Sequence, residues 1–213
     1  MTAEGRTIVL AGGTSSAGVA TARALVGAGA RAIVTGRSES RLQAARDAGA
    51  EAIVADATSL ANMQQLAEEL GAADGIVPLV GGWRGGGGLA GQSDEDFAAL
   101  LPALEAVRAT SRAFDAALRA SDAGRFAIVS STAVARPLAG GANYAAVKAA
   151  SEAWTRAVAH GFAKSARDAG EPLRAASVIF RAKALEPEEL AAAVLGLWDA
   201  PADELNDHVI DLG

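Results

Sequence analysis

Thr7-Ile8-Val9-Leu10-Ala11-Gly12-Gly13-Thr14-Ser15-Ser16-Ala17-Gly18-Val19-Ala20 passes from an apolar, β-branched run through a glycine turn into a helix-forming stretch. Residues 7–10 read as a buried strand. Residues 17–28 carry Val19, Ala22 and Val26 at helical spacing, and Gly29 stops them. A glycine turn that follows a strand and opens a helix is the setting a dinucleotide fingerprint requires. Gly12 permits the tight turn, and Gly18 permits close packing of helix on strand. The first N–H groups of the helix then face a pyrophosphate, which the helix dipole also favours. Thr14, Ser15 and Ser16 add hydroxyl donors at the same place. An ordinary strand–helix turn has the same outline, so this segment alone does not separate the two readings.

The pattern repeats along the chain. Strands are expected at 32–35, 52–55, 75–80, 126–130, 175–180 and 207–212. Helices are expected at 39–48, 60–70, from Ser93 to about 120, at 142–169 and at 187–198. Acidic residues after Ser93 suit a helix start, Pro102 is a point for a kink, and Pro187 suits a first turn. Non-alternating strands that alternate with helices mean a parallel sheet covered on both faces. The expectation is one α/β domain over residues 1–213, a doubly wound Rossmann-type sheet of about seven strands. No internal repeat or linker interrupts it, and only the glycines at 85–88 form a low-complexity piece.

The second expected strand refines the cofactor. It ends Val34-Thr35-Gly36-Arg37, where an acidic residue would hold the ribose hydroxyls of NAD. Arg37 suits a 2′-phosphate instead, so NADP(H) is preferred and NAD(H) is second; the bland alternative is a solvated loop charge. Asp56 and Ala57, closing the third strand, stand where the adenine edge would lie, although Asp56 is equally suited to a turn. Gly81 opens the glycine-rich loop after the fourth strand.

Composition narrows the partners. The 213 residues carry a net charge of −6 and 51% hydrophobic content, with a pI near 5.0. That balance argues against nucleic acid, whose phosphates need a basic face. There is no cysteine, and His160 and His208 lack metal-ligand spacing, so no metal is expected. No apolar run approaches the roughly 18 residues of a membrane span, and the N-terminus lacks a secretory pattern. A cytoplasmic protein acting on a small molecule is the expectation.

The chemistry sits on the long helix at 142–169. Tyr144 and Lys148 are four residues apart and share one helical face. An ammonium beside a phenol stabilises the phenolate, which makes tyrosine a usable general acid for carbonyl reduction, or base for alcohol oxidation. Ser131, thirteen residues upstream, follows the fifth strand and can polarise a carbonyl. Tyr144 is the only tyrosine of the chain.

In this order a glycine turn, a strand-end serine and Tyr-x-x-x-Lys resemble the short-chain dehydrogenase/reductase family, from Thr7 to the C-terminus. The resemblance implies that Ser131 orients a carbonyl or alcohol substrate, Tyr144 transfers the proton, and Lys148 also binds the nicotinamide ribose. It implies hydride transfer with NADP(H) and a homodimer or homotetramer, with His160 on a helix that pairs subunits in that family. Several positions depart from the pattern. Ser16 stands for the middle glycine, and Pro78-Leu79-Val80-Gly81 replaces the usual NNAG. Leu104 aligns with the asparagine of the family's water relay to lysine. The substrate-covering segment shrinks to Arg181-Ala182-Lys183-Ala184-Leu185-Glu186. These departures motivate a second expectation: a cofactor-binding sensor or assembly subunit with weak or no catalysis. Trp83-Arg84 reads either as a substrate wall or as a mobile surface loop. Arg181 and Lys183 read as phosphate or substrate contacts, with solvated charge as the default. Trp154 and Trp198 read as core or interface residues.

Overall fold

The computed structural model describes residues 2–213. Strands β1 (Thr7–Ala11), β2 (Arg31–Gly36), β3 (Glu51–Val54), β4 (Gly75–Pro78), β5 (Arg125–Ser131), β6 (Ala176–Ala182) and β7 (Val209–Leu212) form one parallel sheet. Its order is β3-β2-β1-β4-β5-β6-β7. The order reverses between β1 and β4, which opens a crevice at their carboxyl ends. Helices α1 (Ser16–Gly27), α2 (Glu39–Asp47) and α6 (Pro187–Leu195) cover one face. Helices α3 (Leu60–Leu70), α4 (Asp94–Ala120) and α5 (Ala142–Ala169) cover the other.

The period-two alternation of strand side chains sorts the core into two layers. Ile8 and Leu10 of β1 pack with Leu25, Leu42 and Leu190, whereas Val9 and Ala11 pack with Met63, Phe114 and Phe162. Both faces are buried, which accounts for the uninterrupted apolar runs. Gly75 leaves the space that the Trp198 ring fills, since a Cβ there would lie 2.7 Å from it. Trp198 is fully buried and donates Nε1–H to the Ala123 carbonyl at 2.9 Å.

The expected elements are present, with shifted ends. β4 stops at Pro78 rather than at 80: its pairing with β5 ends at Ile76, and beyond Pro78 only the Leu79 N–H still reaches β1, at the Ala11 carbonyl, 2.8 Å away. α6 ends at Leu195 and tightens into a 3-10 turn, Gly196–Trp198. A one-turn helix, α7 (Ala202–Leu205), precedes β7. Ser131 closes β5 from inside the strand rather than following it. α4 runs as one helix through Pro102, and Ser93 caps it by accepting from the Asp96 N–H at 3.1 Å.

Candidate active site

The turn after β1 is shaped by its glycines. Gly12 has φ +75°, and a Cβ there would lie 2.5 Å from Val80 Cγ2. Its N–H donates to Thr35 Oγ1 at 3.0 Å, which ties the turn to β2. A Cβ on Gly18 would lie 2.2 Å from the Gly13 carbonyl oxygen, so α1 approaches the turn only because position 18 has no side chain. Thr14 turns its methyl group toward Gly36, where a Cβ would be 2.5 Å from it. Ser15 is the N-cap of α1 and accepts from the Gly18 N–H at 3.3 Å. The N–H groups of Ser16 and Ala17, at the head of α1, have no partner among the described residues and border a cleft. Free N–H groups and the positive end of a helix dipole suit a phosphate.

That cleft has a volume of about 1300 Å³. A single small-molecule pocket takes roughly 300–1000 Å³, so there is room for a dinucleotide end and a substrate together. It lies over the carboxyl ends of β1, β4, β5 and β6. Of the expected site residues, Ser15, Ser16, Gly81, Ser131, Tyr144 and Lys148 line it. Gly12, Thr14 and Gly18 shape the turn and are not among the residues that line the cleft. Arg37 is exposed just past β2, and Asp56 and Ala57 follow β3 at the far end of the crevice, outside the cleft lining. Asp56 is a turn residue: its Oδ1 accepts from the Thr58 N–H at 3.0 Å and the Thr58 hydroxyl at 2.8 Å. Ala57 is buried.

Within the cleft, Ser131 is buried and its Oγ accepts from the Ala133 N–H at 3.2 Å. The hydroxyl proton remains available for a carbonyl oxygen. Tyr144 packs against the buried cluster of Leu100, Ala103 and Val147, to which Leu104 also adds an apolar side chain. Lys148 Nζ lies 5.8 Å from the centre of the Tyr144 ring and donates to the Val129 carbonyl at 2.7 Å. Burial lowers the Lys148 ammonium to about 8, partly opposed by the charge of Glu152. A Cβ on Gly81 would come within 3.9 Å of Nζ, so the glycine leaves the lysine open toward the loop.

Sequence reading missed a second layer. Glu152 stands one turn beyond Lys148 and is buried. Its Oε1 accepts from Ser130 Oγ at 2.7 Å and Arg181 Nε at 2.8 Å, and its Oε2 accepts from the other Arg181 arm at 2.6 Å. Burial pushes the carboxyl up, but bonds from Arg181 and Ser130 outweigh that and hold it below its ordinary value. Arg181 is therefore a structural partner, not a solvated charge. The four-residue spacing Tyr144, Lys148, Glu152 was the available signal. Gln92 was also missed. Its side-chain N–H groups donate to the carbonyls of Gly86, Gly88 and Gly140, and its Oε1 accepts from the Asn143 N–H. The glycine loop is thus fastened to the segment that leads into Tyr144, and Trp83, 61% exposed, forms part of the cleft wall. His160 is exposed, and Trp154 donates to Ser111 Oγ at 2.9 Å while Arg108 lies over its ring. No group of residues suited to a metal occurs among the described residues, and no helix among them is long and apolar enough to cross a membrane.

Comparison with known proteins agrees with this architecture. The family described as short chain dehydrogenase matches residues 6–166. A putative betaketoacyl-ACP reductase is similar at 25% identity and TM-score 0.79, over 98% of this chain and 96% of its own. A metagenomic short-chain oxidoreductase solved in complex with NADP is similar in fold at 24% identity and TM-score 0.81, over 99% of this chain and 98% of its own. An NADPH-bound short chain oxidoreductase from Pseudomonas aeruginosa PAO1 with an atypical catalytic center shares the fold at 23% identity and TM-score 0.84, over 97% of this chain and 95% of its own. No match is found among curated proteins. The chain belongs to the short chain dehydrogenase family of oxidoreductases.

Proposed function

Starting from that membership, we propose that the protein is an NADP(H)-dependent oxidoreductase that interconverts a small carbonyl compound and its alcohol. The observation that carries this reading is the convergence of Ser131, Tyr144 and Lys148 on the cleft that opens at the head of α1. Gly12, Thr14, Ser15, Ser16 and Gly18 form the diphosphate end, and Asp56 and Ala57 flank the adenine end. Gly81, Tyr144 and Lys148 serve the nicotinamide ribose. Arg37, exposed past β2, takes the 2′-phosphate; an NADP complex and an NADPH complex among the solved relatives support that preference.

When bound, the cofactor supplies the hydride donor or acceptor. The chain does the rest. Ser131 donates its hydroxyl proton to the carbonyl oxygen and fixes its orientation. Tyr144 Oη delivers the proton that converts the developing alkoxide to the alcohol. Lys148 stabilises the resulting phenolate. With a pKa of about 8, the ammonium is roughly nine-tenths protonated at pH 7, so the charge is in place at neutral pH.

The test is NADPH oxidation with a panel of aldehydes and ketones. Wild-type protein should turn over at least one of them, and Tyr144→Phe should lose roughly 100-fold or more. A Phe variant as fast as wild type would refute the mechanism. NADPH binding without turnover across the panel would favour a cofactor-binding protein that does not catalyse.

A further inference from the structure

The chain carries a net charge of −6, yet among the described residues no carboxylate lines the cleft. Its charged lining residues are Arg136, Lys148 and Lys183. A cleft of one sign attracts ligands of the opposite sign. The three cations have different surroundings. Lys148 is engaged with the Val129 carbonyl and lies beside Tyr144. Lys183 follows β6 on the loop into α6, and α6 packs along α1. It therefore stands on the side of the sheet where a diphosphate at the head of α1 would sit. Arg136 belongs to the connection from β5 to α5, which leaves toward the opposite face. β5 is two strands from β1, about 10 Å across the sheet. Neither Arg136 nor Lys183 forms an ion pair among the described residues.

Much of the cleft wall is apolar. Six large hydrophobic side chains are exposed among the described residues, and three of them, Trp83, Leu138 and Leu185, line this cleft. Arg136 is exposed, and Pro137 disfavours helical backbone at its position. A planar guanidinium beside apolar walls suits bidentate contact with a carboxylate or phosphate on an apolar molecule.

From this geometry we infer that the substrate is a carbonyl compound with an apolar body and an anionic group, and that Arg136 binds the anion. The inference rests on the hydride-transfer reading and adds the substrate class to it. Binding is read first, by calorimetry on NADPH-saturated protein with octanoate, octyl phosphate and octanamide. At least one anion should bind about tenfold tighter than the amide. The gap should shrink in high salt and close in Arg136→Ala and Arg136→Gln, but persist in Lys183→Ala. The tighter anion identifies the charged group. Turnover is read second, as kcat/KM for 7-oxooctanoate against its methyl ester; the acid should lead, and Arg136→Ala should bring the ratio near unity.

Amide binding equal to that of both anions, absence of anion binding, or a gap unchanged by Arg136→Ala would overturn the inference. So would an ester preferred over the acid, with the hydride-transfer reading intact. Anion binding through Arg136 with no turnover of either compound would uphold the anion site and count against hydride transfer.

Discussion

Lys148 donates to the main-chain carbonyl of Val129 at 2.7 Å, which ties the ammonium of α5 to the strand that ends in Ser131. The next residue, Ser130, donates to Glu152 at 2.7 Å. Three successive β5 residues therefore anchor Lys148, anchor Glu152 and present the serine hydroxyl. The spacing of the proposed catalytic groups is set by strand–helix packing rather than by the helix alone.

Glu152→Gln should shift the pH profile. The carboxylate raises the Lys148 pKa, so its removal takes the ammonium below its present value of about 8. Phenolate stabilisation is lost as pH rises through that pKa, so the alkaline limb of kcat/KM should move to lower pH. An unmoved limb would separate Glu152 from Lys148. The substitution also leaves Arg181 without its counter-charge, at a cost of about 2 kcal/mol in denaturant unfolding.

Gly18→Ala should damage both the fold and the cofactor end. Its Cβ would meet the Gly13 carbonyl oxygen at 2.2 Å, and a backbone atom cannot step aside cheaply. A loss of about 1–3 kcal/mol is expected, with weaker NADPH binding by fluorescence titration. Wild-type values for both would mean that α1 can retreat freely from the turn.

Arg37→Ala tests the cofactor preference. Wild type should bind NADPH more tightly than NADH, and the variant should lose about tenfold or more on NADPH with little change on NADH. Equal affinities in the wild type would exclude a 2′-phosphate contact at Arg37.

Gln92→Ala should release the glycine loop. The side chain holds Gly86, Gly88 and Gly140 together, so amide exchange across residues 81–91 should accelerate and KM for the carbonyl substrate should rise. Unchanged exchange would mean that the Gly86 N–H bond to the Gly140 carbonyl, 2.7 Å long, suffices.

Much of the fold was legible because its signals are local. The β-branched runs, the glycine stops and Pro187 mark elements within a few residues of themselves. Ser131, Tyr144 and Lys148 were legible because helical spacing and motif order survive in one dimension. Three features were not. The glycine loop reads equally as a mobile tip until Gln92 is seen bonding Gly140. Arg181 reads as a free charge until β6 brings it to Glu152. Arg136 carries no sequence signal at all, since its place in a cleft without carboxylates depends on which loops gather at one edge of the sheet.

The amino-acid sequence by itself determined the strand–helix alternation, the glycine turn and the order of the family motifs, all of which follow from periodicity and local backbone preference. The tertiary structure alone decided which side chains share the cleft and which are tied down behind it. Those pairings join residues tens of positions apart, such as Ser130 with Glu152 or Gln92 with Gly140. They arise from strand order and helix packing, which bring distant parts of the chain into hydrogen-bonding distance.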